Sequence, residues 1–508
     1  MLHSTTKNIL MLADQPWEAE FMAKLGKKLQ QVDHRIKLSL AFTDYYTSFS
    51  RIDFLTGLRA GFPGEIITQS KLYQNWQLPI KEPSVDFKFL EAWESKYCRN
   101  RNLREIEKTN QWVYGQERLQ WHLPISNAWK ERILEDTIRW CEDCVKNFNP
   151  SLIIAIERST LPKNILYSIS EYLNVPFLTI IPSRIGNRMT IRADFGYGVS
   201  DVFLNTVSEN YKKDIDEHDV QRVLKSIIEN AEGSYASLEN RIATKFRERR
   251  SLKFTPLKKE LRLWIGRVYT RIFIHLKARP FELLRVGEDF TKMSLVELRK
   301  IFVEHTYRMG FRFWGVTELP VSPYFFWALH MRPEGSVLVL GDGRDEIVEL
   351  FRSADLIPDG YFLAVKENPE MFGLRRVGFY RKLRAHKKII LIDPFTPTFP
   401  LIQESLGVIG ISGTVLLEAA ILNVPSASLG KPEFDQFLCE SGWESSGKFI
   451  EKCIKSEYEN VREKIIPYIS FILKNSSSED IPYDGPLDTP KAEQMIDRFA
   501  HEILQMVK

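Results

Sequence analysis

Short apolar runs alternate along most of this chain with longer stretches whose apolar residues recur at spacings of three and four. Residues 8–12 (NILML) have strand length, 17–31 the helical period, and 35–42 (RIKLSLAF) strand length again, which is a β-α-β start. Residues 44–130 are rich in aromatic and charged side chains with weak periodicity, and mixed helix and loop is expected there. A helical stretch at 132–148 is ended by Asn149-Pro150, and 152–156 (LIIAI) reads as a strand. A helix at 162–173 and a strand at 176–181 follow. The pattern resumes with strands at 324–329, 361–365, 388–392 and 408–411, separated by helices at 346–356, 377–385 and 399–405. Strands alternating with helices predict parallel sheets. Beyond residue 450, two helical stretches at 458–473 and 490–507 flank a polar, Pro-containing loop and are expected to pack back across the two α/β domains.

The stretch 406–430, LGVIGISGTVLLEAAILNVPSASLG, compresses strand, tight turn, helix and strand into 25 residues. Ser412 is placed to cap the helix, and Gly413 lets a ligand come close to the backbone. Free N–H groups and the positive end of the helix dipole then face a crevice at a strand's carboxyl end, where phosphates bind. Glu418 interrupts an otherwise apolar helix one turn beyond Thr414. A buried carboxylate needs a partner, either a ribose diol or a lysine of the chain.

Polar clusters follow other strands too. His330, Arg332 and Glu334 come after the strand at 324–329, and Lys366, Glu367 and Asn368 after that at 361–365. In a parallel sheet these ends point the same way, so the groups are expected to converge with Ser412 and Thr414. In the first domain Arg158 follows one strand, and Arg184 and Arg188 follow the next. They either line a cleft or are solvated loop charges.

Composition changes this picture in two places. Hydrophobic content of 44% and charge of 27% are ordinary for a globular protein. The net charge of +4, however, is unevenly spread: residues 241–279 hold 13 Lys or Arg against two acids, so the rest of the chain is net negative. Leu261, Trp264, Ile265, Val268, Ile272 and Leu276 recur there at helical spacing. A basic amphipathic helix bearing Trp can lie on an anionic membrane surface or pack between domains. Nucleic acid is not expected, because no stacking motif accompanies the charge. The five cysteines, an odd number without framework spacing, point to a reducing compartment, and Cys141 and Cys144 read as a chance C-x-x-C. There is no signal-type apolar region, so a cytoplasmic protein is expected, peripheral on the inner face of the plasma membrane if the basic helix docks there rather than packing between domains. Asp214-Ile215-Asp216 has D-x-D spacing but sits in a solvated polar run, so no metal is expected.

LHMRPEGS (329–336), VKENP (365–369) and ISGTVLLEAAILNVPSASLG (411–430) together resemble the capsule polysaccharide biosynthesis group of bacterial glycosyltransferases, which includes Kdo transferases. The resemblance covers about residues 320–436. It implies an α/β, GT-B-like fold, two Rossmann-like domains facing across a cleft, with a nucleotide-sugar donor held by the second. The expected boundaries are 1–235 for the acceptor-side domain, 236–310 for the basic helical insert, 311–450 for the donor domain and 451–508 for the returning helices. By this resemblance Ser412, Gly413 and Thr414 hold donor phosphate, Glu418 contacts ribose or base, and Lys366 and Glu367 line the site. The family pattern reads K-E-H-P where Asn368 stands here; an amide donates a hydrogen bond but, unlike imidazole, neither takes up a proton nor becomes charged. The expected catalytic groups are Glu334, His330 and Arg158, with Arg332 on the donor and Arg184 and Arg188 in the acceptor cleft. The expected reaction is metal-independent transfer of a sugar to a lipid-linked or polysaccharide acceptor. The alternatives are a nucleotide-sugar 2-epimerase, which would need a compact acid/base set, and an inactive nucleotide- or glycan-binding scaffold.

Overall fold

Two six-stranded sheets organise the computed structural model, which describes residues 7–43, 51–69, 82–98, 102–109, 127–157, 160–183, 185, 188–192, 217–230, 257–278, 297–303, 305–306, 319–331, 337, 340–341, 345–375, 378–476 and 487–506. The first holds β1 (Lys7–Ala13), β2 (Ile36–Phe42), β3 (Glu65–Thr68), β4 (Leu152–Ile156), β5 (Phe177–Pro182) and β6 (Met189–Arg192). The second holds β7 (Tyr324–Ala328), β8 (Phe362–Lys366), β9 (Ile389–Ile392), β10 (Gly407–Gly410), β11 (Ser426–Ser428) and β12 (Glu440–Ser441). Their orders are β3-β2-β1-β4-β5-β6 and β12-β11-β10-β7-β8-β9. Each is therefore 3-2-1-4-5-6 in its own sequence order, the doubly wound Rossmann arrangement. The α/β class with two Rossmann-like units is what the alternation of the sequence predicts.

The chain divides into two compact units. Unit 1 comprises Met1–Val113, Ile125–Leu204 and Ile472–Lys508; unit 2 comprises Tyr114–Pro124 and Asn205–Phe471. In unit 1 the helix Pro16–Val32 covers one face of the sheet through Phe21, Met22, Leu25 and Leu29. The last helix, Pro490–Met506, adds Met495, Phe499 and Ile503 to the same core. Asn127–Phe148 and Leu161–Leu173 cover the other face. In unit 2, Glu346–Leu356 and Ser446–Ile454 pack on one face of the second sheet.

Differences from the sequence reading lie at the sheet edges. β3, β6 and β12 are four, four and two residues long, too short for an alternation to register. Beyond β5, where the sequence suggested either a cleft lining or solvated loop charges, Ser183 N–H donates to Arg188 O at 2.7 Å and β6 runs antiparallel to β5. Arg188 is half-buried in this hairpin, whereas Arg158 and Arg184 lie outside the described residues.

The switch point of the first sheet, between β1 and β4, is filled by the chain itself. Lys163 Nζ stands 2.7 Å from Asp14 Oδ2 and 3.1 Å from Glu18 Oε2, and donates to Ile156 O at 2.6 Å. Thr160 Oγ1 donates to Asp14 Oδ2 at 2.7 Å, Thr43 Oγ1 donates to Asp14 Oδ1, and Asp14 N–H donates to Glu18 Oε2 at 2.7 Å. Burial raises the Glu18 carboxyl to about 7 against the pull of Lys163. Burial would lower the Lys163 ammonium, but Asp14 and Glu18 more than reverse it, so the lysine stays charged. This cluster ties the ends of β1, β2 and β4 together. Cys141 and Cys144 lie buried on the helix beneath, and burial pushes both thiols up, Cys144 to about 12, which disfavours thiolate chemistry.

Removing the cation strands two buried carboxylates, whereas neutralising Glu18 leaves the Asp14–Lys163 pair intact. Lys163→Met is expected to lower stability by about 3–5 kcal/mol, and Glu18→Gln by about 1 kcal/mol or less. Glu18 ionises at a lower pH unfolded than folded, so the folded state holds the extra proton between 4.5 and about 7. The carboxyl's contribution is full below pH 4.5 and lost as pH rises toward 7. Urea denaturation of wild type and Glu18→Gln across that range should show a steeper decline for wild type.

Candidate functional site

All strands of the second sheet run parallel, so every β-to-α connection leaves from one edge. Its switch point lies between β7 and β10. His330 stands two residues beyond β7, and Ser412 two residues beyond β10. The helix Thr414–Ile421 starts there with Gly413, not Ser412, as its cap. That cap makes no side-chain hydrogen bond, and the first turn carries no acid. The first N–H groups of a helix have no intrahelical acceptor, and such a start favours an anion. Gly413 is also where His330 comes close: a methyl group on it would stand 3.1 Å from His330 Nε2.

His330 is held by a residue that the sequence did not single out. Glu346 Oε1 accepts the His330 backbone N–H at 2.7 Å and lies 2.7 Å from Nδ1. Glu346 is fully buried and His330 is 7% exposed. A carboxylate on Nδ1 places the neutral ring's proton there and turns the basic Nε2 toward the helix start. The two are 16 residues apart, and the only sequence signal was an acid in the first turn of the helix Glu346–Leu356.

A second missed residue, Arg375, braces the neighbouring strand end. Its Nε and Nη2 reach the two Glu367 oxygens at 2.8 and 2.9 Å, and Nη2 also donates to His330 O at 2.8 Å. Tyr380 OH and Asn368 N–H each donate to Glu367 at 2.8 Å. Burial would lower the Arg375 guanidinium's pKa, but Glu367 raises it beyond its usual range. Burial, reinforced by Glu367, pushes the Tyr380 phenol up. Glu367 was expected to line the nucleotide site; four donors already occupy its oxygens, which makes it a brace for His330.

Lys366, the last residue of β8, is buried and donates to Thr398 Oγ1 at 2.9 Å. Asn368 and Thr414 are half-buried at the same edge, and Ser412 and Glu418 are buried. The structure therefore brings His330, Glu367, Lys366, Ser412, Gly413 and Thr414 to one edge of one sheet. Arg332 and Glu334 lie outside the described residues, as does Asp214-Ile215-Asp216.

No family model matches the chain, and no curated protein does. Among solved structures, a UDP-GlcNAc 2-epimerase from Neisseria meningitidis bound to UDP-GlcNAc is 13% identical, covering 92% of this chain and 98% of its own, with a TM-score of 0.27. One from Methanocaldococcus jannaschii in complex with UDP-GlcNAc and UDP is 13% identical, covering 98% and 99%, at 0.26. A UDP-N-acetylglucosamine 2-epimerase from Rickettsia bellii is 12% identical, covering 99% and 97%, at 0.28. The glycosyltransferase expectation is corrected on this finding. The structures named here are UDP-GlcNAc 2-epimerases. Scores of this size carry no argument about what this chain itself does, which must come from its own residues.

The Glu367 brace gives a direct test. Arg375→Met leaves a buried carboxylate without its cation and is expected to cost about 3–5 kcal/mol in chemical denaturation. Tyr380→Phe removes one hydrogen bond to a charged group and should cost about 1.5–3 kcal/mol.

Proposed function

We propose that the chain is an enzyme that acts on a nucleotide sugar, of the 2-epimerase class, with the nucleotide phosphates at the switch point of unit 2. The observation that supports it is the held imidazole: His330, fixed by Glu346, with Nε2 against the start of the Thr414–Ile421 helix. Inverting a sugar carbon requires removing a C–H proton and returning one to the opposite face, so an acid/base group must stand beside the bound nucleotide. Phosphate at a helix N-terminus places the attached sugar within reach of the neighbouring strand end, where that imidazole is. The second proton carrier is not assigned.

Phosphate charge is met in this reading by the helix N-terminus and Lys366, and no metal is needed. Glu418 on the same helix is the group proposed for the ribose. Arg332 remains a proposed donor contact, and Glu334 a proposed catalytic group, of the loop after β7.

UDP-GlcNAc, with CMP-, GDP- and dTDP-sugars beside it, is the probe set. Proton NMR in D₂O should show deuterium entering the sugar at C2 and the epimer accumulating, unaffected by EDTA. His330→Asn should abolish exchange while nucleotide affinity changes by less than about 1 kcal/mol. Lys366→Ala should weaken nucleotide binding by roughly 1.5–3 kcal/mol in calorimetric titration. Nucleotide binding without exchange would sink the enzyme reading in favour of a binding scaffold, and unchanged affinity in Lys366→Ala would remove the site from this edge.

A further inference from the structure

An epimerase leaves the basic segment unexplained, and the helix Leu257–Ala278 within it is built in an unusual way. Leu257, Leu261, Trp264 and Val268 follow one another at i, i+4, i+7 and i+11 and are half-buried, so this stripe is turned to the protein. The stripe beside it, Lys258, Arg262, Ile265 and Tyr269, is exposed. Ile265 and Tyr269 are 58% and 68% exposed, and Leu263 nearby is 55% exposed. In the sequence pattern Ile265 shares one apolar stripe with Leu261, Trp264 and Val268; the structure puts it on the exposed stripe beside theirs. Single exposed apolar residues need no explanation. Two on one stripe, continuing the line of Lys258 and Arg262 with Lys259 at its flank, describe a face that is both cationic and oily.

We infer that this outer face docks on an anionic lipid surface, with Ile265 and Tyr269 entering the headgroup region beside Lys258 and Arg262. Charge complementarity selects the occupant. Residues 241–279 are strongly positive while the rest of the chain is net negative. An anionic bilayer therefore attracts this segment and repels the remainder, which orients the approach. The apolar side chains supply what a soluble polyanion would not reward, and tyrosine suits the interfacial zone. Among the described residues no helix is long and apolar enough to cross a membrane, so this one lies along the surface. The inference is independent of the reaction proposed above.

Flotation of the full chain with vesicles tests it. Binding is expected to phosphatidylcholine vesicles containing phosphatidylglycerol, with little to phosphatidylcholine alone, and it should weaken as salt is raised. Ile265→Asp with Tyr269→Asp should reduce partitioning roughly ten-fold or more, since two interfacial side chains become anionic. Lys258→Glu, Lys259→Glu and Arg262→Glu together should reduce it by roughly five-fold per position, the equivalent of about 1 kcal/mol each. All five positions are exposed, so thermal midpoints should stay at wild type; if the first variant melts early, the charge variant decides. Equal binding to neutral vesicles, unchanged binding in the charge variant, or binding to single-stranded RNA with none to vesicles would overturn the inference.

Discussion

Glu367 and Arg375 lie almost wholly out of water, and charges so placed persist only when they are paired and their remaining hydrogen-bonding capacity is met. Here Tyr380, the Asn368 amide and the His330 carbonyl complete the set. Because Arg375 touches both Glu367 and the His330 backbone, the ends of β8 and β7 are fixed relative to each other. Glu346 then fixes the ring. The His330 imidazole is thus held in place by two buried carboxylates and one guanidinium.

The two units solve the same topological problem in opposite ways. Both sheets have the 3-2-1-4-5-6 order, and so both open a crevice at a switch point. In unit 1 a carboxylate of the chain itself, Glu18, accepts the Asp14 N–H at the start of the first helix, and Lys163 neutralises it. The anion that such a place attracts is already built in. In unit 2 the helix Thr414–Ile421, which follows the fourth strand, starts at Gly413 with no side-chain capping bond from that residue and no acid in its first turn.

Most of this architecture was legible in the sequence because central parallel strands are uniformly apolar and their helices carry the 3.6 period. Residues 152–156, 324–329 and 346–356 show this, each falling on an observed element within one residue. The edge strands β3, β6 and β12 escaped because so few residues hold too little pattern, whereas β9, an edge strand of four residues, was legible because its run is uniformly apolar. The strand-end groups His330, Lys366 and Ser412–Thr414 were visible from their position after apolar runs. Glu346 and Arg375 were not, since an acid in a helix's first turn and an arginine in a loop are commonplace. Their importance comes from burial and from partners far along the chain, which local patterning does not encode. The same limit applies to the cap at Gly413, where serine propensity favoured the residue before it.

The core of unit 1 draws on both ends of the chain: Ile9 and Met11 of β1 lie in one apolar cluster with Phe499 and Ile503. During synthesis the first of these leave the ribosome several hundred residues before the last. At roughly 5–20 residues per second, the interval is on the order of tens of seconds to minutes. Throughout it, the Pro16–Val32 helix presents an uncovered apolar flank, while all of unit 2 has time to form. Vectorial synthesis therefore inverts the expected order of maturation, and the unit translated first is the one completed last.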